Sequence, residues 1–258
     1  MCLLVLAWQA HPRYRLIVAA NRDEYHERPA APLAPWPPPE ELLAGRDLRA
    51  GGTWLALSRT RRFGVVTNFR ERQRPRRSAP SRGRLIPSYL SGAASAPDYL
   101  AGLETDAPGY SGFNLLVSDA TSLWYACNRA EAFARPLQPG VYGLSNEFLD
   151  TPWPKLRRVR ARFQAWLGAA EGSAETLFEM LGDRVPTPDA ELPHTGLPLD
   201  WERTLSSPFV LDTTYGTRCS SVLLLEHSGA AYLAERRFDC AGRGSGQAEF
   251  QLNEHEWA

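Results

Sequence analysis

Apolar residues in this chain fall in short runs, separated by turn-forming clusters. Cys2–Trp8 is an unbroken apolar run, which predicts a strand buried on both faces. A polar stretch, Gln9–Arg15, and a second run, Leu16–Ala20, make it the first arm of a hairpin. Asn21–Pro39 holds Pro29, Pro32, Pro35, Pro37, Pro38 and Pro39, and predicts irregular chain ending in a polyproline-like stretch. Trp54–Ser58 and Phe63–Thr67 read as a strand pair after the turn Ala50-Gly51-Gly52. Tyr89–Glu104 has weak helical character, broken at Pro97. Phe113–Val117 and Leu123–Cys127 form a second hairpin, and Val141–Leu144 a further short strand. Pro154–Leu167 is the clearest helix, with Leu156, Val159, Phe163, Trp166 and Leu167 at three-to-four spacing and a cap from Asp150 or Thr151. Ala174–Leu181 predicts a shorter helix, and Arg184–Pro208 a loop. Ser221–Glu226 and Ala231–Phe238 make a late hairpin, and Gln247–Leu252 adds a last strand.

Strands thus come first, helices in the middle and strands last. That order predicts an α+β fold whose terminal strands share a sheet. No internal repeat or linker divides the chain, so residues 1–258 read as a single domain. Charge adds exclusions. The 29 basic and 29 acidic residues balance, which gives no reason to expect nucleic acid or an anionic membrane as partner. No apolar run reaches the roughly 18 residues of a membrane helix, and no basic segment precedes the first one, so neither membrane insertion nor secretion is expected. Cys2, Cys127, Cys219 and Cys240 are scattered without metal-binding spacing, which points to a reducing, cytoplasmic compartment and no metal site. All basic residues but Lys155 are arginines, the side chain suited to gripping planar anions.

Cys2 carries the sharpest chemical signal. Removal of Met1 would leave a thiol and a free α-amine on one residue, a nucleophile with its own base. The plainer alternative is a small buried hydrophobe opening a strand. Asn21-Arg22-Asp23-Glu24 follows an apolar strand directly, as either a surface turn or a site at a strand end. There Arg22 suits a thiolate or anionic ligand, and Asp23 or Glu24 suits orienting an amine. Asn68 and Asn146 stand at strand ends, where an amide can donate to an oxyanion or simply make a turn. Arg218, in Tyr215-Gly216-Thr217-Arg218, is alone an ordinary charge.

Together these residues resemble a known family. Cys2 opening a strand, Asn21-Arg22-Asp23-Glu24, Gly45-Arg46-Asp47 and Gly51-Gly52-Thr53-Trp54-Leu55-Ala56 all fit it. So do Thr67-Asn68-Phe69-Arg70, Ser81-Arg82-Gly83, Gly112-Phe113-Asn114, Leu144-Ser145-Asn146, Thr151-Pro152-Trp153-Pro154-Lys155 and Tyr215-Gly216-Thr217-Arg218. The chain is similar from Cys2 to about Phe238 to the NRDE family, also called the transport and Golgi organisation protein 2 family. That family resembles the N-terminal nucleophile hydrolases, which implies a four-layer αββα sandwich. In their cysteine branch the matching positions would make Cys2 the nucleophile, with Arg22, Asp23, Asn68, Asn146 and Arg218 as its catalytic partners. The branch separates the arginine from the aspartate, whereas Arg22 and Asp23 are adjacent.

The family is also implicated in moving haem and in lipid or acyl-CoA homeostasis. The resemblance therefore implies first a carrier of haem, bound without covalent attachment, or of acyl-CoA, exchanging cargo with haem donor or acceptor proteins. Its ligand would be met by Asn21, Arg22, Asp23, Glu24, His26 and Arg70. The ten arginines of Arg59–Arg84 would pair with propionates or phosphates, or form a solvated basic loop. The second implication is a cysteine hydrolase acting on a non-peptide amide, and the third an inert scaffold.

Overall fold

Which segments pair, and with what, follows from how the apolar runs are shared out between two sheets. A computed structural model describes residues 2–71, 79–169, 172–254 and 257, and of Cys2 the backbone only. The strands of the first half are β1 (Cys2–Trp8), β2 (Tyr14–Tyr25), β3 (Ala30–Pro35), β4 (Leu42–Asp47), β5 (Leu55–Ser58) and β6 (Phe63–Asn68). Helices α1 (Leu85–Leu90) and α2 (Ala96–Glu104) precede β7 (Phe113–Ser118), β8 (Leu123–Cys127), β9 (Ala134–Pro136) and β10 (Gly140–Leu144). Then come α3 (Pro154–Leu167), α4 (Ala174–Leu181) and α5 (Leu199–Thr204), and finally β11 (Tyr215–Glu226), β12 (Ala231–Phe238) and β13 (Gly244–Leu252). The fold is α+β, with both sheets antiparallel. Among the described residues no helix is long and apolar enough to cross a membrane.

The chain divides into two compact units. The first comprises Met1–Glu27 and Pro139–His255 and holds a sheet in the order β10-β1-β2-β11-β12-β13. The first and last strands of the chain thus share a sheet, as their apolar runs predict. Leu3, Val5, Ile17, Ala19, Val222 and Leu224 on one face pack against Leu156, Val159, Phe163, Leu177 and Phe178 of α3 and α4. Leu4, Leu6, Leu16, Val18, Leu223 and Leu233 on the other face are equally buried. Burial on both faces is why these strands read as continuous apolar runs instead of alternating ones. Each such leucine or valine contributes about 1.5–3 kcal/mol by leaving water.

The second unit is essentially the contiguous stretch Arg28–Gln138. Its sheet is a meander in which every neighbour is consecutive, from β3 to β9. Leu85, Ile86, Tyr89, Leu100 and Leu103 from its helices pack on Ala44, Ala56, Val66, Leu115 and Val117. Gly52 lies so close to Gly83 that a Cβ would sit 2.3 Å from that residue's carbonyl carbon, and Thr53 N–H bonds Gly83 O at 3.0 Å. Gly45 faces the Trp54 indole, 2.4 Å from where its Cβ would be. Asp47 Oδ1 accepts from the N–H groups of Arg49 and Ala50, and Oδ2 from Arg28 Nε at 2.7 Å. The Gly-Arg-Asp, Gly-Gly-Thr-Trp and Ser-Arg-Gly motifs are therefore architectural.

Several expectations are corrected. Asn21–Pro39 is not irregular: Asn21–Tyr25 extends β2, and Ala30–Pro35 forms β3. β3 tolerates its prolines because it is an edge strand with a register shift between Ala31 and Ala34. The break in the first helical region lies before Ala96, and Pro97 sits in the first turn of α2 behind the Ser95 cap. α3 begins behind Trp153 without a side-chain cap, and Asp150 instead accepts from Gly143 N–H. Arg184–Pro208 contains α5. The short strands β4 and β9 escaped the apolar pattern.

The arginines of Arg59–Arg84 are a finding of their own. Arg59 pairs with Glu41 at 3.0 Å, and Arg82 Nη1 donates to Gly112 O at 2.9 Å. Arg62 donates to the carbonyls of Gly92 and Ala94 while its guanidinium lies 4.0 Å over the Tyr89 ring. These side chains tie loops and helix ends of the second unit together. Arg72, Arg74, Arg76 and Arg77 lie outside the described residues.

Candidate functional site

In the first unit, β2 has a neighbour on each side, so its polar end is held inside the sheet. Cys2 of β1 and Cys219 of β11 both pair with Arg22, and Leu3 and Ser220 both pair with Asn21. One step further, Asp23 pairs with Thr217, so Arg218 is the extra residue of a β-bulge. Strand alternation puts Arg22 on one face and Asn21 and Asp23 on the other. The adjacency of Arg22 and Asp23 therefore places their side chains on opposite sides of one strand. Leu144 pairs with Leu4, and Asn146, fully buried, follows two residues later. Continuing that register brings Asn146 level with Cys2.

Each side chain has defined partners. Asn21 Nδ2 donates to Leu181 O at 2.9 Å and Pro208 O at 3.0 Å, and its Oδ1 accepts from Ser220 Oγ at 2.6 Å. Its amide thus holds the end of α4 and the loop after α5 against the sheet. Asp23, 2% exposed, accepts from Thr217 Oγ1 at 2.7 Å, and its backbone carbonyl accepts from Tyr215 Oη at 2.8 Å. Burial pushes its carboxyl above the usual range, against the opposing pull of the chain's amino terminus, Lys155, the Thr217 hydroxyl and Arg22. Arg22 is 6% exposed. Arg218, freed from the ladder by the bulge, donates from Nη1 to Tyr25 O at 2.9 Å and His26 O at 3.2 Å. Burial lowers its pKa and repulsion from Arg22 adds to that, against the opposing pull of Cys219 and Glu24. Two guanidiniums close enough to repel are an arrangement that an anionic group relieves.

Glu24 turns back on its own strand, accepting from Tyr25 N–H at 2.9 Å. His26 Nε2 lies 3.0 Å from the Asp212 carbonyl oxygen, which makes that nitrogen the donor. Its ring lies beside Gly216, where a Cβ would sit 3.2 Å away. The nitrogen most often offered to a metal is therefore already engaged. Asn68 ends β6 opposite Phe113, and Arg70 follows it; both belong to the second unit.

Sequence reasoning missed Lys155, Thr217 and Tyr215. Lys155 is 3% exposed in the first turn of α3, its Nζ donating to Leu205 O at 2.7 Å. Its signal was available, since it is the one lysine in the chain. Thr217 has no chemical signal of its own in the sequence, and the pairing of β2 with β11 brings it to Asp23. Chemically, this end of the sheet assembles a cysteine position, a buried carboxylate, a buried ammonium, an amide and two guanidiniums. Such a set can activate a nucleophile and steady an anion.

Comparison with known proteins agrees with the motifs. The family model described as Transport and Golgi organisation 2 matches residues 1–240. A mouse Transport and Golgi organization 2 homolog is 33% identical, with 92% of each chain covered. A bovine homolog is 32% identical over 100% of this chain and 99% of its own. The fruit-fly Transport and Golgi organization protein 2 is 30% identical over 91% of each. With matches of this extent and with the Asn21-Arg22-Asp23-Glu24 motif in its buried strand, the chain belongs to the transport and Golgi organisation 2 family, which is the NRDE family.

Proposed function

We propose that this chain is a cysteine amidohydrolase that cleaves a non-peptide amide at the Cys2 end of β1. The observation that carries the reading is the register that brings Cys2, Arg22, Asp23, Asn146 and Arg218 to one end of one sheet. After removal of Met1, the α-amine of Cys2 takes the thiol proton, and the sulfur attacks the amide carbonyl carbon. The C–N bond breaks, the amine leaves with that proton, and water hydrolyses the thioester to a carboxylic acid and a free thiol. Asp23 orients the amine, Asn146 donates to the oxyanion, and Arg22 steadies the thiolate. The likeness to N-terminal nucleophile hydrolases carries a four-layer αββα sandwich with it. Each unit, taken alone, has the make-up of one half: a sheet with helices on one face. The place of action is the cytoplasm.

The test starts with the intact mass of the purified protein, which decides whether Met1 is present. A mass lacking methionine, together with turnover of linear or cyclic amides that Cys2→Ala abolishes, supports the reading. Retention of Met1, or turnover indifferent to Cys2→Ala, overturns it.

A carrier of haem or acyl-CoA is the second reading, favoured by the mutually repelling pair Arg22 and Arg218. Propionates or phosphates would relieve that repulsion. It stands second because Arg59, Arg62 and Arg82 of the Arg59–Arg84 stretch already serve carbonyls and a carboxylate of the second unit. The relatives' names speak of transport and Golgi organisation, and a haem or acyl-CoA carrier would fit them. Haem titration monitored by absorbance tests it. Saturable binding weakened at least tenfold by Arg218→Ala supports it, and an unaltered spectrum overturns it for haem.

A further inference from the structure

We propose that the chain forms a two-fold dimer in which β13 pairs antiparallel with β13 of a second copy, joining the two first-unit sheets into one. The sheets of one chain have four edges, β10, β13, β3 and β9, and three of them are closed to a further strand. β3 carries Pro32 and Pro35, which have no N–H to donate, and β9 is three residues long and ends in Pro136. β10 has its outward backbone groups taken. Gly143 N–H donates to Asp150 Oδ1 at 2.8 Å, Gly143 O accepts from Asp150 N–H at 2.7 Å, and Val141 O accepts from Arg160 Nη2 at 2.7 Å. β13 has none of these devices. It is nine residues long, holds no proline or lysine, and is exposed along most of its length. None of the described residues outside its sheet bonds to its backbone. A free edge of this length is a template for a strand of another chain.

The strand that fits this edge is its own copy. The midpoint of β13 is Ala248, so pairing over the full length sets Ala248 opposite itself, Gln247 opposite Glu249 and Gly246 opposite Phe250. Strand alternation puts Gln247 and Glu249 on the solvent face, and Gly246, Ala248 and Phe250 on the face of the buried Leu252. Glu249, the one charge of the strand, accepts from Gln251 Nε2 at 3.3 Å, and the opposing Gln247 amide would supply a further donor. Each Phe250 ring would meet a glycine, the pairing in which an aromatic ring covers a bare backbone. The Arg237 guanidinium lies over Gly246 and would offer that ring its cation. Moving the axis to Glu249 would set two carboxylates face to face, and moving it to Gln247 would shorten the overlap. The register shift of β13 against β12 lies at its start, between Gly244 and Gly246, so Gly246–Phe250 run in step around the axis. Because β10 closes the other edge of the same sheet, the assembly stops at two copies.

Sedimentation equilibrium of the full chain over a hundredfold range of concentration is expected to give twice the mass of the chain at the upper end. Gln247 is exposed, so its replacement leaves the fold intact. Gln247→Glu sets a carboxylate opposite Glu249 at two places and is expected to weaken the dimer about tenfold, whereas Gln247→Lys is expected to tighten it about threefold. Cross-linking reads the register in a Cys240→Ser background, which removes the exposed native thiol. Opposed residues of an antiparallel pair lie within disulfide reach, so Ala248→Cys is expected to give a covalent dimer under mild oxidation. Gln247→Cys alone is expected to give none, and a mixture of Gln247→Cys with Glu249→Cys to give one. A protein that is monomeric at every concentration overturns the inference, whether or not β13 takes up a strand of another protein. A trimer or larger assembly overturns it as well. So does a dimer indifferent to both Gln247→Glu and Gln247→Lys, or one that neither cysteine pairing links.

Discussion

Asp23 shows what a charged residue costs inside a sheet. Burial raises its folded-state pKa above the unfolded value of 3.8, so the folded protein binds the proton more tightly than the unfolded chain. The sign follows. The stability this proton contributes is fully present below the unfolded value and is lost as pH rises through the folded one. Asp23→Asn removes that dependence. Thermal denaturation across about pH 4 to 8 should show the melting temperature of the unaltered protein falling relative to Asp23→Asn as pH rises. Each tenfold difference in proton affinity between the folded and unfolded chain corresponds to about 1.4 kcal/mol. Parallel curves would mean the carboxyl is unperturbed. At this scale the sequence marks Asn21-Arg22-Asp23-Glu24 as a polar quartet directly after an apolar strand. It was silent on which face each one takes. That depends on β2 running on past Ala20 with a partner on both sides, and no local pattern reports a partner nearly two hundred residues away.

At the scale of elements, the glycine-bearing motifs hold the second unit together. Gly52→Ala would push a methyl group against the backbone of Gly83, 2.3 Å away, where nothing can rotate aside. Gly45→Ala meets the Trp54 side chain at 2.4 Å, which can be replaced. Both single changes should destabilise by roughly 1–3 kcal/mol, as overpacking does. Trp54→Leu should recover much of the loss from Gly45→Ala and none from Gly52→Ala. Equal recovery in both, read by chemical denaturation, would show that the close approaches are not the cause. The element boundaries that sequence reading met were those with strong apolar runs or periodicity, such as β1, α3, α4 and β12. Those it missed have specific reasons. β4 is interrupted by Gly45 and Arg46, α5 is only six residues long, and β3 keeps its prolines by standing at an edge. The bulge at Arg218 is invisible locally, yet it detaches one guanidinium from the ladder and aims it at the carbonyls of Tyr25 and His26.

At the scale of the molecule, topology orders the assembly. The second unit's sheet joins only consecutive strands, and every pairing except β6 with β7, whose connection carries α1 and α2, closes a short loop. The first unit's sheet depends on β2 meeting β11, with Arg22 opposite Cys219. Closing a loop of about 200 residues costs about 3 kcal/mol more in chain entropy than closing one of about six. Non-local pairing of this kind slows folding. Pulse-labelled hydrogen exchange during refolding should therefore protect the amides of β7 and β8 before those of β2 and β11. The candidate site is made by that late pairing, because Thr217, Tyr215 and Arg218 all reach Asp23 and its neighbours from β11. Cys2 alkylation sampled during refolding should then change with the slow phase and not with the fast one. Protection of β2 and β11 in the fast phase would mean that the ends of the chain meet early, guided by the apolar runs of β1 and β2 rather than by loop length.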